Sequence, residues 1–176
     1  MIDEFKRSAI FLRKAWRAGF IPVELGTMSV RDIRYPISGP WLEAYMHGTD
    51  HSVYATPHYS LLERHVIGGI RFHSEPFGVF HASGQQNFGE TDYWRHQVSL
   101  RGIDHPRPDH WITAMGQRFV GLYESIKWDG YRHRCIADRI AVTTNGVLWD
   151  GGHRLACLAA LGWERVPVVK MWRFRP

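Results

Sequence analysis

The stretch of sequence that decides the fold is VLWDGGHRLACLAALGWERVPVV, residues 147–169. Its order predicts a strand, a glycine-containing turn, a short helix that ends at Gly162, and a second strand from Val166. The two glycines of the turn let the backbone approach a ligand closely, and the N–H groups after them begin the helix. Because an anion at a helix N-terminus accepts hydrogen bonds from such groups, this layout favours a phosphate-binding turn.

The turn itself reads Asp-Gly-Gly-His-Arg, residues 150–154. The N–H groups of Gly152, His153 and Arg154 are expected to point towards an anion, and the Arg154 side chain adds a charge-assisted fork. A glycine pair that only reversed the chain would need neither the histidine nor the arginine. For Asp150 a structural alternative stays open, since an aspartate before a helix commonly caps it.

Further elements are predicted on the N-terminal side of this stretch. Apolar residues on one helical face from Trp111, with Gly130 as a stop signal, predict a long helix. A β-branched run over residues 136–144, followed by Asn145-Gly146, predicts a hairpin.

The first part of the chain, residues 3–19, has apolar residues at helical spacing surrounded by basic side chains, which predicts an amphipathic helix. Such a helix packs on its own domain or lies on a membrane surface, and we favour the first. A short strand and an irregular turn follow over residues 20–35. No apolar run reaches the length of a membrane span, and charge interrupts the N-terminus before a signal-peptide core, so we expect a cytoplasmic protein with no membrane partner.

The composition is that of a globular protein, because 44% of the 176 residues are hydrophobic and 22% are charged. This length favours one domain over residues 1–176. The two cysteines are too few for a disulfide framework. The net charge of +5 suits an anionic partner, but the basic residues are scattered, so we do not expect nucleic acid. The oligomeric state stays open.

The turn and its surroundings carry a family resemblance. The sequences DGGHR at 150–154, LG at 161–162 and VPV at 166–168 follow one another in the order and spacing of the ParB/sulfiredoxin-like fold family, which residues 111–172 resemble. The resemblance implies an α+β domain with a small mixed sheet and flanking helices. To this core the chain adds an N-terminal helix and a large irregular insertion over residues 36–110, with one helix predicted around residues 57–66.

Within this family, the turn is most similar to that of the free-serine kinases, which read Asp-Gly-His-His-Arg. Sulfiredoxins carry a cysteine where this sequence has Gly152, so their thiol chemistry is not expected, and Cys157 is interpreted as a packed thiol. The partitioning ParB proteins carry Gly-Glu-Arg-Arg and a further helix-turn-helix domain, which we do not expect here. The resemblance therefore implies a kinase that uses ATP or ADP with Mg²⁺ to phosphorylate a small-molecule hydroxyl.

The same resemblance implies the roles of the turn residues. Gly151, Gly152, His153 and Arg154 would hold the nucleotide phosphates, and Asp150 would orient the turn or help to bind Mg²⁺.

In those kinases an acidic residue shortly after the first strand acts as the base on the acceptor hydroxyl. Asp32 stands at about that distance here, with Glu24 as the alternative. The expected catalytic residues are therefore Asp32, Asp150 and His153.

The insertion is rich in histidine and aromatic residues. No His pair has the spacing of a metal site, so no metal-ligating residue is assigned there. We expect the insertion to form an acceptor pocket, with His51, His58 and Tyr59 as its first candidates. Its size and aromatic content favour a sugar or sugar-like acceptor over an amino acid. Three aromatic residues are candidates for stacking on a sugar ring or base: Trp41, Tyr54 and Trp94.

The alternative function is a non-catalytic ParB-like module. Such a module would use the same turn to hold a nucleotide or a DNA backbone phosphate without transferring anything. Affinity for duplex DNA that falls steeply with salt would favour it.

Overall fold

The computed structural model describes residues 2–72, 86–101 and 108–174 of the chain. Within these ranges the fold is α+β, with six α-helices, a four-stranded mixed sheet and a two-stranded parallel sheet. The helices are α1 (Ile2–Arg17), α2 (Gly39–Tyr45), α3 (Pro57–Gly68), α4 (Asp92–Arg101), α5 (Pro108–Asp129) and α6 (Gly152–Ala160). The strands are β1 (Phe20–Ser29), β2 (Ile70–Arg71), β3 (Gln86–Asn87), β4 (Ile140–Thr143), β5 (Leu148–Asp150) and β6 (Arg165–Arg173).

The larger sheet has the strand order β1-β6-β4-β5. β4 and β5 form the antiparallel hairpin that the Asn145-Gly146 signal predicted, and Gly146 has a φ of 80°. β6 is parallel to β4 and antiparallel to β1. A parallel pair needs a crossover connection, which α6 supplies between β5 and β6. The strand, turn, helix and strand expected over residues 147–169 are therefore confirmed.

The sheet is covered on both faces because strand side chains alternate between them. Val166 and Val168 of β6 belong to a large apolar cluster that includes residues of α3, α5 and α6. Val169, on the opposite face, belongs to a smaller cluster with Phe11 and Ala15 of α1. This arrangement places the start of α6 beside β5, at one edge of the sheet.

The expectation of an irregular insertion over residues 36–110 is wrong for its described part. α3 confirms the helix predicted near residues 57–66, but α2 and α4 were not predicted. Histidine, tyrosine and tryptophan have modest helix propensity, so their density concealed these helices. Residues 73–85 and 102–107 of the insertion lie outside the described residues.

The N-terminal helix is confirmed as α1, and β1 continues to Ser29, so it is longer than the short strand expected. The long helix predicted from Trp111 is confirmed as α5, and Gly130 after it has a φ of 76°. None of the helices in the described residues is long and apolar enough to cross a membrane.

Candidate functional site

The turn at residues 150–154 joins β5 to α6. Gly151 precedes the first helical residue and has a φ of 93°, a left-handed conformation that glycine adopts without strain. Among the described residues no side chain caps α6, so the alternative that Asp150 caps this helix is not found. Instead, Oδ1 of Asp150 accepts a hydrogen bond from the Gly151 N–H at 2.9 Å. The Asp150 carboxylate therefore orients the turn and leaves the first N–H groups of α6 without a side-chain cap.

Arg154 lies against this turn. Its Nη2 atom is 3.3 Å from the position that a Cβ atom on Gly151 would occupy, and its Nη1 atom donates to the backbone carbonyl of Ala137. The same side chain lines a cavity of about 240 Å³ at the end of α5. Polar side chains around this cavity are Ser125, Asp129, Tyr131, Arg132 and Asp138. Arg154 thus connects the start of α6 to an open cavity that has both polar and apolar side chains in its lining.

Tyr35 explains why residue 152 is glycine. A Cβ atom on Gly152 would lie 2.6 Å from the Tyr35 hydroxyl oxygen, closer than two such atoms approach each other. The hydroxyl is also 3.1 Å from Nδ1 of His58, and burial raises the pKa of Tyr35. The Tyr35 hydroxyl is therefore held between the first residue of α6 and a buried imidazole.

The side chain of His153 points into the protein rather than towards a ligand at the turn. Its Nε2 atom is 2.9 Å from the Tyr93 hydroxyl, and its ring packs on Phe119 with 4.6 Å between ring centroids. Burial, assisted by the Arg154 charge, lowers the pKa of His153 to about 4. The imidazole is neutral at pH 7 and brings no positive charge to a phosphate. Of the groups of His153 that were expected to bind phosphate, the backbone N–H is the one that still can.

Three histidines meet beneath the turn, and we call them the histidine cluster: His58, His96 and His153. The ring of His58 lies 5.0 Å from that of His153 and 5.6 Å from that of His96, measured between centroids. Burial lowers the pKa of all three, and for His58 the two neighbouring histidines lower it further. Nδ1 of His96 is buried and has no hydrogen-bond partner in the part of the chain that the structure describes. Among the described residues no group of three His, Cys, Asp or Glu side chains is arranged to hold a metal ion.

The two expected general bases do not lie at the turn. The backbone carbonyl of Asp32 lies beside Gly146, at the opposite end of β5 from Gly151. At about 3.3 Å per residue, this separation is on the order of 15 Å along the strand. Glu24 lies on β1, at the far edge of the sheet from β5, and its carboxylate is 2.9 Å from the Lys170 ammonium.

The three acceptor candidates have different surroundings. His58 contacts both His153 and Tyr35, so it belongs to the site. His51 contacts Tyr35 through its backbone carbonyl, which accepts a 2.7 Å hydrogen bond from the Tyr35 N–H. The ring of Tyr59 packs edge-on against Tyr54, 5.1 Å away.

Sequence reasoning missed several residues of the site: Tyr35, Tyr93, His96, Phe119 and Tyr131. Phe119 lay on the predicted apolar face of α5. The two hydroxyl contacts join residues 23 and 60 positions apart, and no local pattern signals them.

Comparison of the chain with protein-family models, with curated proteins and with solved structures found no match. The resemblance of residues 111–172 to the ParB/sulfiredoxin-like family therefore stays a prediction. A function has to be argued from the site itself, because a fold alone does not specify one.

Proposed function

We propose that the chain binds a nucleotide by its phosphates at the start of α6 and transfers a phosphoryl group to a hydroxyl of a small molecule. The observation that carries this proposal is the combination of an uncapped helix start with the Arg154 guanidinium lying against Gly151. Helix N–H groups and a guanidinium together supply the donors and the positive charge that a phosphate needs.

The cavity next to Arg154 favours a ligand that is larger than phosphate alone. A phosphate bound at the turn by Arg154 would leave the rest of the ligand beside the cavity of about 240 Å³. Its rim includes the Arg132 guanidinium and the hydroxyl groups of Ser125 and Tyr131. These hydroxyl groups donate to Asp129 and to the Asp138 carbonyl, and each can still accept a hydrogen bond. We propose this cavity as the place of the nucleoside part, with ATP and ADP as the first candidates.

The residues of the turn also fit Mg²⁺ in the way that nucleotide-dependent enzymes hold it. Mg²⁺ commonly takes one or two protein carboxylates and completes its coordination with substrate phosphates and water. Asp150 supplies such a carboxylate, and its Oδ2 atom is 3.1 Å from the Lys14 ammonium. Bound Mg²⁺ would neutralise negative charge on the phosphate oxygens.

On the other side of the turn, the Tyr35 and His58 pair provides the groups that would meet an acceptor. Phosphoryl transfer requires an aligned acceptor hydroxyl and a group that orients or takes its proton. The neutral imidazole of His58 can accept a hydrogen bond from the Tyr35 hydroxyl, and this orients the hydroxyl at the first residue of α6. We assign acceptor positioning to this pair, and a sugar-like acceptor remains the favoured class, with an amino acid as the alternative.

One observation favours the alternative of a non-catalytic nucleotide-binding module. Both carboxylates expected to act as the base, Asp32 and Glu24, lie away from the turn. A module of this kind would use the same N–H groups and Arg154 to hold a nucleotide, without turnover.

Calorimetric titration with ATP, ADP, CTP and GTP, with and without Mg²⁺, tests the proposal. We expect an adenine nucleotide to bind the wild type and to bind Arg154→Ala at least about tenfold more weakly, because a charge-assisted contact is lost. Arg165→Ala is the matched control, since Arg165 is exposed and contacts Thr27 on β1. No binding of any nucleotide by the folded wild type contradicts the proposal.

If a nucleotide binds, an assay of phosphoryl transfer to a panel of sugars and amino acids separates the two functions. A phosphorylated product supports the kinase. Tight binding without any product supports the binding module.

A further inference from the structure

The helix α1 packs on the sheet through a narrow face and leaves its larger apolar side chains exposed. Phe11 and Ala15 are buried against the sheet. In contrast, Phe5, Leu12 and Trp16 are 77%, 41% and 56% exposed. Packing of α1 on its own domain is therefore confirmed, but it does not use the main apolar stripe of the helix.

The strand that follows the helix adds a further exposed apolar side chain on the same face of the sheet. At 100° per residue, Phe5, Leu12 and Trp16 lie within a sector of roughly 40°. Leu25 of β1 is 58% exposed and pairs with Val169, which lies in the cluster under α1. Because paired residues of antiparallel strands share a face, Leu25 lies on the same side of the sheet as the helix. We call Phe5, Leu12, Trp16 and Leu25 the outer α1 patch.

A basic sector borders this patch. Lys6, Arg13 and Arg17 are exposed and lie within about 40° of one another around the helix, next to the apolar stripe. No acidic side chain pairs with these three among the residues that the structure describes. On the opposite flank of the helix, Arg7 and Lys14 are held in ion pairs with Asp138 and Asp150.

We propose that the outer α1 patch and its basic border lie on the surface of an anionic lipid bilayer. A helix in this position buries apolar side chains at the boundary of headgroups and acyl chains, while lysine and arginine side chains meet lipid phosphates. Tryptophan is favoured at this depth because it has an apolar body and a polar N–H group. The unpaired cations and the net charge of +5 match an anionic surface.

This contact is peripheral, and it does not depend on nucleotide binding. The expectation of no membrane partner was based on the absence of a membrane-spanning run, which a peripheral contact does not need, and the structure leaves the apolar stripe of α1 largely exposed. Lys14, which contacts Asp150, lies on the other flank of α1. The turn at residues 150–154 would therefore stay accessible from water when the patch is covered.

Vesicle flotation of the full chain tests the proposal. We expect the wild type to bind vesicles made of phosphatidylcholine mixed with phosphatidylglycerol and not to bind vesicles of phosphatidylcholine alone. Raising the salt concentration should release the bound protein. Two triple variants should each weaken binding at least about tenfold: Phe5→Ser/Leu12→Ser/Trp16→Ser, and Lys6→Glu/Arg13→Glu/Arg17→Glu.

Matched controls come from other surfaces. Trp128→Ser removes a side chain that is 76% exposed at the end of α5, and the triple variant Arg31→Glu/Arg95→Glu/Lys127→Glu makes the same change in net charge. Both controls should bind as the wild type does, and thermal melts verify that every variant is folded.

Three results would overturn the proposal. The first is a wild type that does not bind anionic vesicles at low salt. The second is an equal loss in the control variants, which would show a non-specific charge effect. The third is a wild type that forms a dimer in analytical ultracentrifugation and does not bind vesicles, with α1 variants that are monomeric. The outer α1 patch would then be covered by a second copy of the chain.

Discussion

The Tyr35 hydroxyl oxygen lies 2.6 Å from the point where a Cβ atom on Gly152 would stand, and 3.1 Å from Nδ1 of His58. The identity of residue 152 is thereby tied to a side chain that comes from a different part of the chain. The turn at residues 150–154 and the tyrosine–histidine pair therefore occupy one shared space.

The first prediction concerns this shared space. Gly152→Ala should destabilise the protein by about 1–3 kcal/mol, because the new methyl group collides with a ring that is held in place. Tyr35→Phe should cost about 1 kcal/mol by removing one hydrogen bond. In the Tyr35→Phe background the alanine should cost much less, since the nearest ring atom is then 3.3 Å away. Urea unfolding of the four proteins measures the coupling, and equal alanine costs in both backgrounds would contradict the packing described.

The second prediction is that stability falls steeply as the pH drops from 6.5 towards 4. An unfolded histidine takes up a proton near pH 6.5, whereas burial lowers the pKa of the three clustered histidines, for His153 to about 4. In this interval the unfolded state binds more protons, so the free energy of unfolding rises with pH. Each histidine contributes up to roughly 1.4 kcal/mol per pH unit. Chemical denaturation at several pH values measures the slope.

A variant separates this effect from general acid unfolding. His96→Leu removes one titrating ring and a buried nitrogen to which no described residue is hydrogen-bonded. Its stability should depend less on pH below 6.5, while its stability at pH 7 should change little. A slope identical to that of the wild type would exclude His96 as a contributor.

The third prediction concerns Asp150. In Asp150→Asn the side-chain carbonyl can still accept the Gly151 N–H, and the lost ion pair with Lys14 is partly exposed. The free energy of unfolding should therefore change by less than about 1 kcal/mol. If Asp150 holds Mg²⁺ with the nucleotide, the gain in nucleotide affinity from added Mg²⁺ should disappear. Calorimetric titration of the variant with nucleotide, with and without Mg²⁺, measures this gain. If Mg²⁺ increases the affinity of the variant as much as that of the wild type, Asp150 does not hold the ion.

The fourth prediction concerns the two thiols. Cys157 is fully buried, and burial raises its pKa to about 12, so it should not react with iodoacetamide in the native protein. Cys135 is partly exposed, with its Sγ atom donating to Asp138, and it should react first. Mass spectrometry of the alkylated native and urea-unfolded proteins distinguishes the sites. Fast native labelling of Cys157 would show that α6 opens.

The elements that the sequence predicted correctly are those whose signals are local in the chain. The hairpin at Asn145-Gly146 and the turn at residues 150–154 are local, since glycine and its neighbours determine the backbone there, and both were predicted. The helices α2 and α4 escaped prediction because their residues favour no single secondary structure.

The candidate site was predictable only in part, for the same reason. The turn residues were identified, but the inward direction of His153 depends on Tyr93, which is 60 positions away. The position of Asp32 depends on the start of β5. There the N–H of Arg34 donates to the Gly146 carbonyl, and the Arg34 carbonyl accepts from the Leu148 N–H. Spacing along the sequence therefore put this carboxylate too close to the turn.

The pairing of β1 with β6 has a consequence for the order of folding. Glu24 and Lys170, which form an ion pair across these strands, are 146 positions apart. Contacts between such distant residues form slowly, because a long loop must close before they stabilise anything. We therefore expect the pairing of β1 with β6 to form late in folding, and the docking of α1 on the sheet, which places the exposed patch, to form late as well.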